Sequence, residues 1–460
     1  MSAINVNSIT GRTGGHGPVL TGVTTISGDL HVGSGISVTG ISTISNVVVG
    51  GATTELVVTG DARVTGILTV GTSSLTLNGT DGTISGISTI NGISYPSTGA
   101  LSNRNLIING AMTVAQRGTS ATSVTGNVYQ CDRFLFGASN LGTWTLEQSG
   151  DAPVGFSSSF KVTCTTADAS PDAGDFCLLI YRGEARDFQL LNYGTSNAES
   201  VVISFYVKSN KTGSASFGLR QPDSATTRQF TKAFTINAAD TWEYKTIVIP
   251  GDTSGQIDND SYAGVILDWW LNSGSTYTGG THATTWETLD QTNRNASNLG
   301  LGGAISDYFQ ITGVQMELGS QATPFEHRLF SDELRRCQRY FCKSSSYHVV
   351  AQDGDTYSDI GKFYTGTFNA YNSTAGYTHT ITFPVSMRDQ PDTFTVIPTN
   401  LAGSAGQMTI YDRGSLTWKA ASVLANSGTT DGVGLTLTTT GSWATGGNLT
   451  YYAWTAEAEI

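Results

Sequence analysis

The middle of the chain consists of short runs in which apolar and polar residues alternate, separated by clusters of Gly, Asn, Asp and Ser. Alternation with a period of two is typical of β-strands, because successive side chains point to opposite faces of a sheet. No long helical pattern interrupts the runs. They predict a β-sandwich of jelly-roll type over residues 101–328, with strands at 201–207, 215–219, 230–236, 243–249, 264–270 and 308–316.

The last part of the chain returns to the same alternation. Apolar residues occupy every second position over 379–387, 433–439 and 450–460. This pattern is typical of strands with one buried and one solvated face. It predicts a second β domain, the C-terminal tip, over residues 344–460.

One helical pattern separates the two β regions and predicts a connecting helix in the segment 329–343. Ser331 fits the N-cap, and acidic residues come first in the helix with basic residues after them, as the helix dipole favours. The narrow apolar stripe would serve either a seam between three chains or packing on the preceding sandwich. The stripe consists of Phe330, Leu334, Cys337 and Phe341, at steps of four, three and four.

Residues 1–100 follow a different pattern, because a short Gly/Thr/Ile unit repeats along them. The unit reads TGVTTI at 21–26, TGISTI at 39–44, TGILTV at 65–70 and SGISTI at 85–90. These 100 residues contain 19 Gly and one Tyr, but no Phe, Trp, Cys or Lys. Such a stretch cannot bury a core of its own, since aromatic side chains supply much of the area that a small core buries.

Three architectures are compatible with the repeat. A single-chain β-solenoid needs coils of near-constant length, which the irregular spacing disfavours. A flexible linker would not carry such regular Val and Ile positions. We therefore expect a slender shaft in which three copies wind around one axis, with Gly allowing the backbones to approach closely. The complete prediction is an all-β fold with a trimeric β shaft, a β-sandwich, one short helix and a C-terminal β domain.

Composition and charge limit the classes of partner. The formal net charge is −12, which disfavours nucleic acid as a partner and binding to anionic membrane surfaces. There is no apolar run of about 20 residues, so we expect no membrane insertion. The N-terminus lacks the basic start and apolar core of a signal peptide, which disfavours a secreted bacterial adhesin.

No sequence motif of catalysis, metal binding or cofactor binding stands out, so the sequence predicts neither an enzyme nor a resident metal or cofactor. Four acidic residues could be nominated for glycoside hydrolysis, but surface structure explains them better. Acidic turns at 258–262 and 353–359 lack the full spacing of a Ca²⁺ loop. The four nominated acids are Glu184, Asp187, Asp268 and Glu287.

Four tryptophans are candidates for contact with glycan, because an indole face can stack on the apolar face of a sugar. Trp269 and Trp270 are consecutive in a predicted strand, so their side chains should point to opposite faces of the sheet. A position in the core is the better interpretation for both Trp269 and Trp270. Trp418 and Trp443 in the last domain are equal candidates.

Two segments resemble a module common in phage tail-fibre and prophage fibre proteins. The first is NLIINGAMTVAQRGTS at 105–120, followed by DRF at 132–134. The second, TPFEHRLFSDELRRCQRYF at 323–341, resembles the segment that closes this module. The N-terminal repeats, with INVNSITGRTG at 4–14, are similar to structural proteins of cyanobacterial phages. The resemblance implies a trimeric virion fibre with a carbohydrate-binding-like sandwich, and it identifies no sugar-contacting residue.

These observations predict a homotrimeric tail fibre, made in the host cytoplasm and located on the virion. We expect its N-terminus to attach to other tail or baseplate proteins and its β domains to bind host surface glycan or lipopolysaccharide during adsorption. Two alternatives stay open. One is a head-attached or decorative fibre without an essential receptor role, and the other is a tailspike that depolymerises glycan.

Overall fold

The structure is a computed structural model that describes residues 102–350, 366–370, 375–398, 407–412, 417–438 and 448–460, together with five short strands before residue 95. The chain divides into two units, residues 1–70 with 76–83 and residues 71–75 with 84–460. Most of the predicted shaft over 1–100 and the acidic turn at 353–359 lie outside the described residues. Among the described residues no helix has the length and apolar character needed to cross a membrane.

The described part of the N-terminal repeats consists of short strands. They lie where isoleucine, leucine and threonine alternate, as expected for β-branched residues on a pleated surface. Strands β1 to β3 pair in that order, and β4 and β5 form an antiparallel pair. The five are β1 (Ile67–Val70), β2 (Leu75–Asn78), β3 (Thr83–Ser85), β4 (Thr89–Ile90) and β5 (Ile93–Ser94). The trimeric shaft stays a prediction.

Thirteen strands form the two sheets of the sandwich. In chain order they are β6 (Ser120–Val124), β7 (Val128–Cys131), β8 (Phe134–Ser139), β9 (Thr143–Ser149), β10 (Ser159–Thr166), β11 (Phe176–Glu184), β12 (Val201–Ser209), β13 (Gly213–Gln221), β14 (Arg228–Ile236), β15 (Glu243–Ile249), β16 (Ala263–Ser273), β17 (Glu287–Thr288) and β18 (Tyr308–Leu318). The six-stranded sheet has the order β15-β12-β18-β10-β9-β6, and the seven-stranded sheet β17-β14-β13-β16-β11-β8-β7. The prediction of an all-β fold is confirmed.

The core lies between the two sheets and is rich in aromatic rings. Trp269 packs edge-on against Phe205, with ring centroids 5.8 Å apart, and against Phe217 at 5.3 Å. Phe205 belongs to the six-stranded sheet and the other two to the seven-stranded sheet, so these rings join the two layers. Edge-to-face contacts of this kind stabilise a core beyond the area that they bury. Short helices lie in the connections, at Ala185–Leu191, Ser275–Thr278 (α1) and Gln291–Asn293.

The two segments that carry the resemblance pack against each other and close the sandwich. The Asn109 side chain donates to the carbonyls of Val114 and Asp132, both at 2.8 Å. Gln116 donates to the Asp132 carboxylate at 2.6 Å and to the carbonyl of Phe341 at 2.7 Å. Buried polar groups of this kind must be paired, and here the pairing joins the two segments.

The connecting helix α2 covers Phe330–Gln338 and is therefore shorter than the predicted pattern. Its N-cap is Leu329 without a side-chain cap, so the expectation for Ser331 is wrong. Cys337 and Leu334 pack on Ile108 and Val114, which favours packing on the sandwich over a seam between chains. Phe341 lies beyond the helix and begins a strand.

Eight strands form the C-terminal β domain. They are β19 (Phe341–Lys343), β20 (Gly366–Ala370), β21 (Ala375–Thr382), β22 (Thr393–Pro398), β23 (Gln407–Asp412), β24 (Thr417–Thr429), β25 (Gly432–Thr438) and β26 (Asn448–Glu457). Strand β26 pairs with both β20 and β23, so the pairings from β20 through β21, β25, β24 and β23 close into a ring. The predicted domain boundaries at residues 100, 328 and 343 stay predictions.

Candidate functional site

A row of aromatic rings lies on the outer face of the six-stranded sheet. We call Phe156, Tyr206, Tyr244, Phe325 and His327 the aromatic row. Ring centroids are 4.9 Å apart between Tyr244 and Tyr206, 5.5 Å between Tyr206 and Phe156, and 5.0 Å between Phe156 and Phe325. His327 lies 5.1 Å from Phe156, at the end of the row.

The strand register produces the first half of the row. Phe205 and Val207 point into the core, so Tyr206 between them points outward. Tyr206 is directly opposite Tyr244 on β15, and a direct cross-strand pair brings two rings into contact. The two tyrosines therefore share one face of the sheet.

A glycine makes room for the other half of the row. Gly313 in β18 has φ +63°, and a Cβ atom there would lie 2.8 Å from the Phe156 ring and 2.9 Å from the Tyr206 ring. The residue lies where the pairing between β12 and β18 shifts register, between Ser204 and Tyr206. The bulge and the missing side chain together let the Phe156 ring approach the sheet closely.

The rings of the row retain solvent exposure, in contrast to those of the core. Tyr244 is 45% exposed. His327 is exposed, and Phe156, Tyr206 and Phe325 are half-buried. Neighbouring ring planes are tilted by 44° to 71°, so the row is a stepped surface and not a flat one. The row is thus a contiguous group of partly exposed aromatic rings.

A polar cluster lies beside the row on the same face of the sheet. Lys208 is two residues beyond Tyr206 on β12 and therefore points outward as well. Asp151 accepts hydrogen bonds from Lys208 Nζ at 2.8 Å, Gln310 Nε2 at 3.1 Å and Trp242 Nε1 at 3.2 Å. The bond from Lys208 is the main reason that the pKa of Asp151 lies below its ordinary value. The cluster is thus a charged, ordered hydrogen-bonding group.

Two of the nominated tryptophans, Trp269 and Trp270, lie away from the aromatic row. Trp269 is fully buried in the core, and Trp270 is 1% exposed on the outer face of the seven-stranded sheet. The Arg294 guanidinium covers Trp270 at 4.6 Å from the ring centroid. Trp418 is in β24, in a part whose side chains are not described, and Trp443 lies outside the described residues. Glycan contact at these four positions stays a prediction.

Three of the four nominated acids are held by partners within the chain, and the fourth, Asp187, is exposed. Asp268 forms two hydrogen bonds with Arg220, at 2.6 and 3.0 Å, and one with Arg294 at 3.1 Å. Burial alone would raise the pKa of Asp268, but the two guanidinium groups outweigh it and the pKa is lowered. Glu184 accepts from Arg339 and Tyr340, and Glu287 accepts from Gln229 and Asn293.

The described residues hold no group of three or more His, Cys, Asp or Glu side chains placed to bind a metal ion. The acidic turn at 258–262 instead forms internal bonds, because the Asp258 backbone N–H donates to Asp223 at 3.1 Å. The Tyr262 backbone N–H donates to Asp260 at 2.9 Å. The bond between Tyr262 and Asp260 is the local turn contact that Asp commonly makes.

Comparison with known proteins finds similar structures but no matching family. No family model matches the chain, and no curated protein sequence does. The enzymatically active domain of tailspike protein 4 of bacteriophage CBA120 is similar at 11% identity and TM-score 0.26, over 47% of this chain and 21% of that one. An arabinose-bound α-L-arabinofuranosidase has 9% identity and TM-score 0.28, over 57% and 34%. A family 11 carbohydrate-binding module from Clostridium thermocellum, in complex with a β-1,3-1,4-mixed-linked tetrasaccharide, has 13% identity and TM-score 0.23, over 45% and 97%.

The similar structures thus include a phage tailspike domain, an arabinofuranosidase and carbohydrate-binding modules, all at low identity and low TM-score. The expectation that the chain is not an enzyme is corrected by them. The similar structures include an enzymatically active tailspike domain and a glycoside hydrolase, so the exclusion of an enzyme does not stand.

The aromatic row was not identified from the sequence. Tyr206 and Tyr244 occupy outward positions of predicted strands, and that alternation was a usable signal. Phe156 and Phe325 come from irregular segments that lie 169 positions apart in the sequence, and no local pattern places them on the same face. The sequence instead offers the consecutive Trp269 and Trp270 as candidates, and both side chains are buried.

Proposed function

We propose that this chain is the subunit of a phage virion fibre that binds host surface glycan through the aromatic row. The observation that carries the proposal is the partly exposed row itself, with an ordered polar cluster beside it. The apolar face of a sugar ring stacks on aromatic rings, and its hydroxyl groups need fixed donors and acceptors. The aromatic row and the Asp151 cluster supply both on one rigid sheet.

The shape of the row favours one type of glycan. Its ring planes are tilted relative to one another, so a single polysaccharide chain with a twist fits the row better than a flat crystalline surface does. Paired strands of the sheet hold Tyr206 and Tyr244 in place before the ligand arrives, which lowers the entropy cost of binding. We therefore expect a soluble or surface-linked polysaccharide chain as the ligand.

The resemblance of residues 105–134 and 323–341 to phage fibre modules supports a place on the virion. In this proposal the subunits form a homotrimer, the N-terminal repeats attach to other virion proteins, and the β domains contact lipopolysaccharide or another host glycan. Weak contacts at each sugar would be multiplied by three copies on one axis.

Binding to immobilised bacterial polysaccharides and lipopolysaccharides tests the proposal. Tyr244→Ala removes a 45% exposed ring from the row. We expect it to weaken binding about tenfold, because loss of a stacking contact of about 1.4 kcal/mol changes affinity by that factor. The measurement is the dissociation constant by biolayer interferometry for the full chain.

Tyr262→Ala is the matched control, because Tyr262 is a 63% exposed tyrosine outside the aromatic row. It should bind as the unchanged chain does. Equal binding by all three proteins to every polysaccharide that the unchanged chain recognises would overturn the proposed face.

A further inference from the structure

A second surface feature lies where the segment 105–120 meets the segment 323–341. A pocket of about 510 Å³, open to solvent, is lined by residues of both segments, of the sandwich and of the chain that follows helix α2. Six of the side chains that line it are Thr113, Thr119, Gln148, Phe330, Tyr347 and His348. A volume of this size is typical of small-molecule sites in proteins.

The walls of the pocket are aromatic and fixed in position. Phe330 meets Tyr347 edge-on at a centroid distance of 5.0 Å, and His348 meets Tyr347 at 4.9 Å. The Tyr347 hydroxyl accepts from the Ala115 N–H at 2.8 Å and donates to the Thr113 carbonyl at 3.1 Å. The ring is therefore held by its hydroxyl while Phe330 stays 46% exposed.

The rest of the lining is uncharged and includes side chains capable of hydrogen bonding. Thr113, Thr119 and Ser158 supply hydroxyl groups, and Gln148 supplies an amide. None of the described residues that line the pocket is Asp, Glu, Lys or Arg. A lining of aromatic rings, hydroxyls and an amide fits a neutral ligand with several hydroxyl groups.

The pocket lies next to the aromatic row. Ser158 lines the pocket, and Phe156 of the row is only two residues earlier in the chain, a span of at most about 7 Å. The Ser158 carbonyl accepts from Thr312 at 2.8 Å, and Thr312 precedes the Gly313 on which Phe156 packs. A chain bound along the row would thus have the pocket within the reach of one or two sugar units.

We propose that this pocket binds one neutral saccharide unit and extends the binding surface of the aromatic row. The inference rests on the proposed function for the class of its ligand, but it concerns different residues. It also gives the shared motifs a role in recognition, because Gly118 and Thr119 come from the first segment and Phe330 comes from the second.

Ligand-observed NMR with the full chain tests the pocket. The probes are the methyl glycosides of glucose, galactose, mannose, rhamnose and N-acetylglucosamine. We expect at least one to bind, and Phe330→Ala to weaken that binding about five- to twentyfold. Leu329→Ala is the matched control, because Leu329 is a 73% exposed neighbour that does not line this pocket. Its binding should equal that of the unchanged chain.

A second variant guards against an effect on folding. Thr119 is exposed at the pocket, so Thr119→Trp should fill it without removing a wall, and it should also abolish binding of the methyl glycoside. Tyr262→Ala should leave that binding unchanged, and Tyr244→Ala should weaken binding of polysaccharide.

The outcomes separate the two proposals. If none of the methyl glycosides binds, or if Phe330→Ala and Thr119→Trp bind as Leu329→Ala does, the pocket is not a saccharide site. The aromatic row would still stand if Tyr244→Ala lost polysaccharide. If the pocket variants lose the methyl glycoside while Tyr244→Ala binds polysaccharide as the unchanged chain does, the pocket is a saccharide site and the aromatic row is not.

Discussion

At the scale of single residues, the surroundings of Asp223 raise the pKa of its carboxyl group. Burial is the main cause that raises the pKa of Asp223 to about 6, and the charges of Asp260 and Asp258 add to it. An unperturbed Asp has a pKa near 3.9, so between about pH 4 and 6 the folded chain binds more protons than the unfolded chain. Stability contributed by protonated Asp223 is therefore present below about pH 4 and lost as the pH rises through about 6.

Asp223→Asn removes this dependence. We expect the variant to melt at a higher temperature than the unchanged chain at pH 7, and the difference to shrink as the pH falls towards 4. Thermal unfolding followed by circular dichroism at pH 4, 5, 6 and 7 measures it. Asp392→Asn is the control, because the Asp392 carboxylate is 71% exposed and its ion pair with Arg388 is long at 3.9 Å. A constant difference for Asp223→Asn across this pH range would contradict the assignment.

At the scale of elements, period-two alternation predicted strands where one face is buried. The run at 243–249 became β15 with those bounds, and 201–207 lies within β12. The predicted helix was too long, since Phe341 pairs with Glu457 in a strand although its spacing fits the helical stripe. Tertiary pairing overrode local periodicity there, and a sequence pattern carries no information on the partner strand.

The aromatic row shows the same limit. Alternation places Tyr206 and Tyr244 outward, but the bulge at Gly313 that admits Phe156 depends on the register of two strands that are distant in sequence. Trp269 and Trp270 do point to opposite faces, as the strand pattern predicted. Their burial follows from what packs above them, which the sequence does not state.

The role of the Gly313 bulge can be tested by Gly313→Ala. The positive φ disfavours alanine by about 1–2 kcal/mol, and the added Cβ would displace the Phe156 ring. We expect a lower urea midpoint together with weaker polysaccharide binding. Gly174→Ala is the control, because a Cβ at Gly174 meets nothing within 4 Å and its φ is not positive. If Gly313→Ala binds polysaccharide as Gly174→Ala does, the bulge does not position the row.

At the scale of the whole molecule, the acidic net charge of −12 and the uncharged lining of the pocket are consistent with a neutral ligand. An acidic protein repels anionic polymers unless it offers a basic patch. The ordered polar cluster contains one acid and one base, Asp151 and Lys208, so it adds little net charge to the face. Specificity would then come from hydrogen bonding and stacking, which are less sensitive to salt than ion pairing.

The trimer is the last prediction, and it connects the N-terminal repeats with the strength of surface binding. A repeat segment without aromatic core material needs neighbouring copies to bury its Val and Ile side chains. The full chain should therefore sediment at three times its 48.4 kDa mass.

Three binding faces on one axis raise the effective concentration, so dissociation from a densely coated polysaccharide surface should be much slower than from a sparse one. A soluble oligosaccharide is bound by one face alone. Its affinity should therefore be the same for the full chain and for a chain that begins near Asn103. Sedimentation of the full chain as a monomer, with equal dissociation rates from dense and sparse surfaces, would contradict both the shaft and the avidity that it is expected to provide.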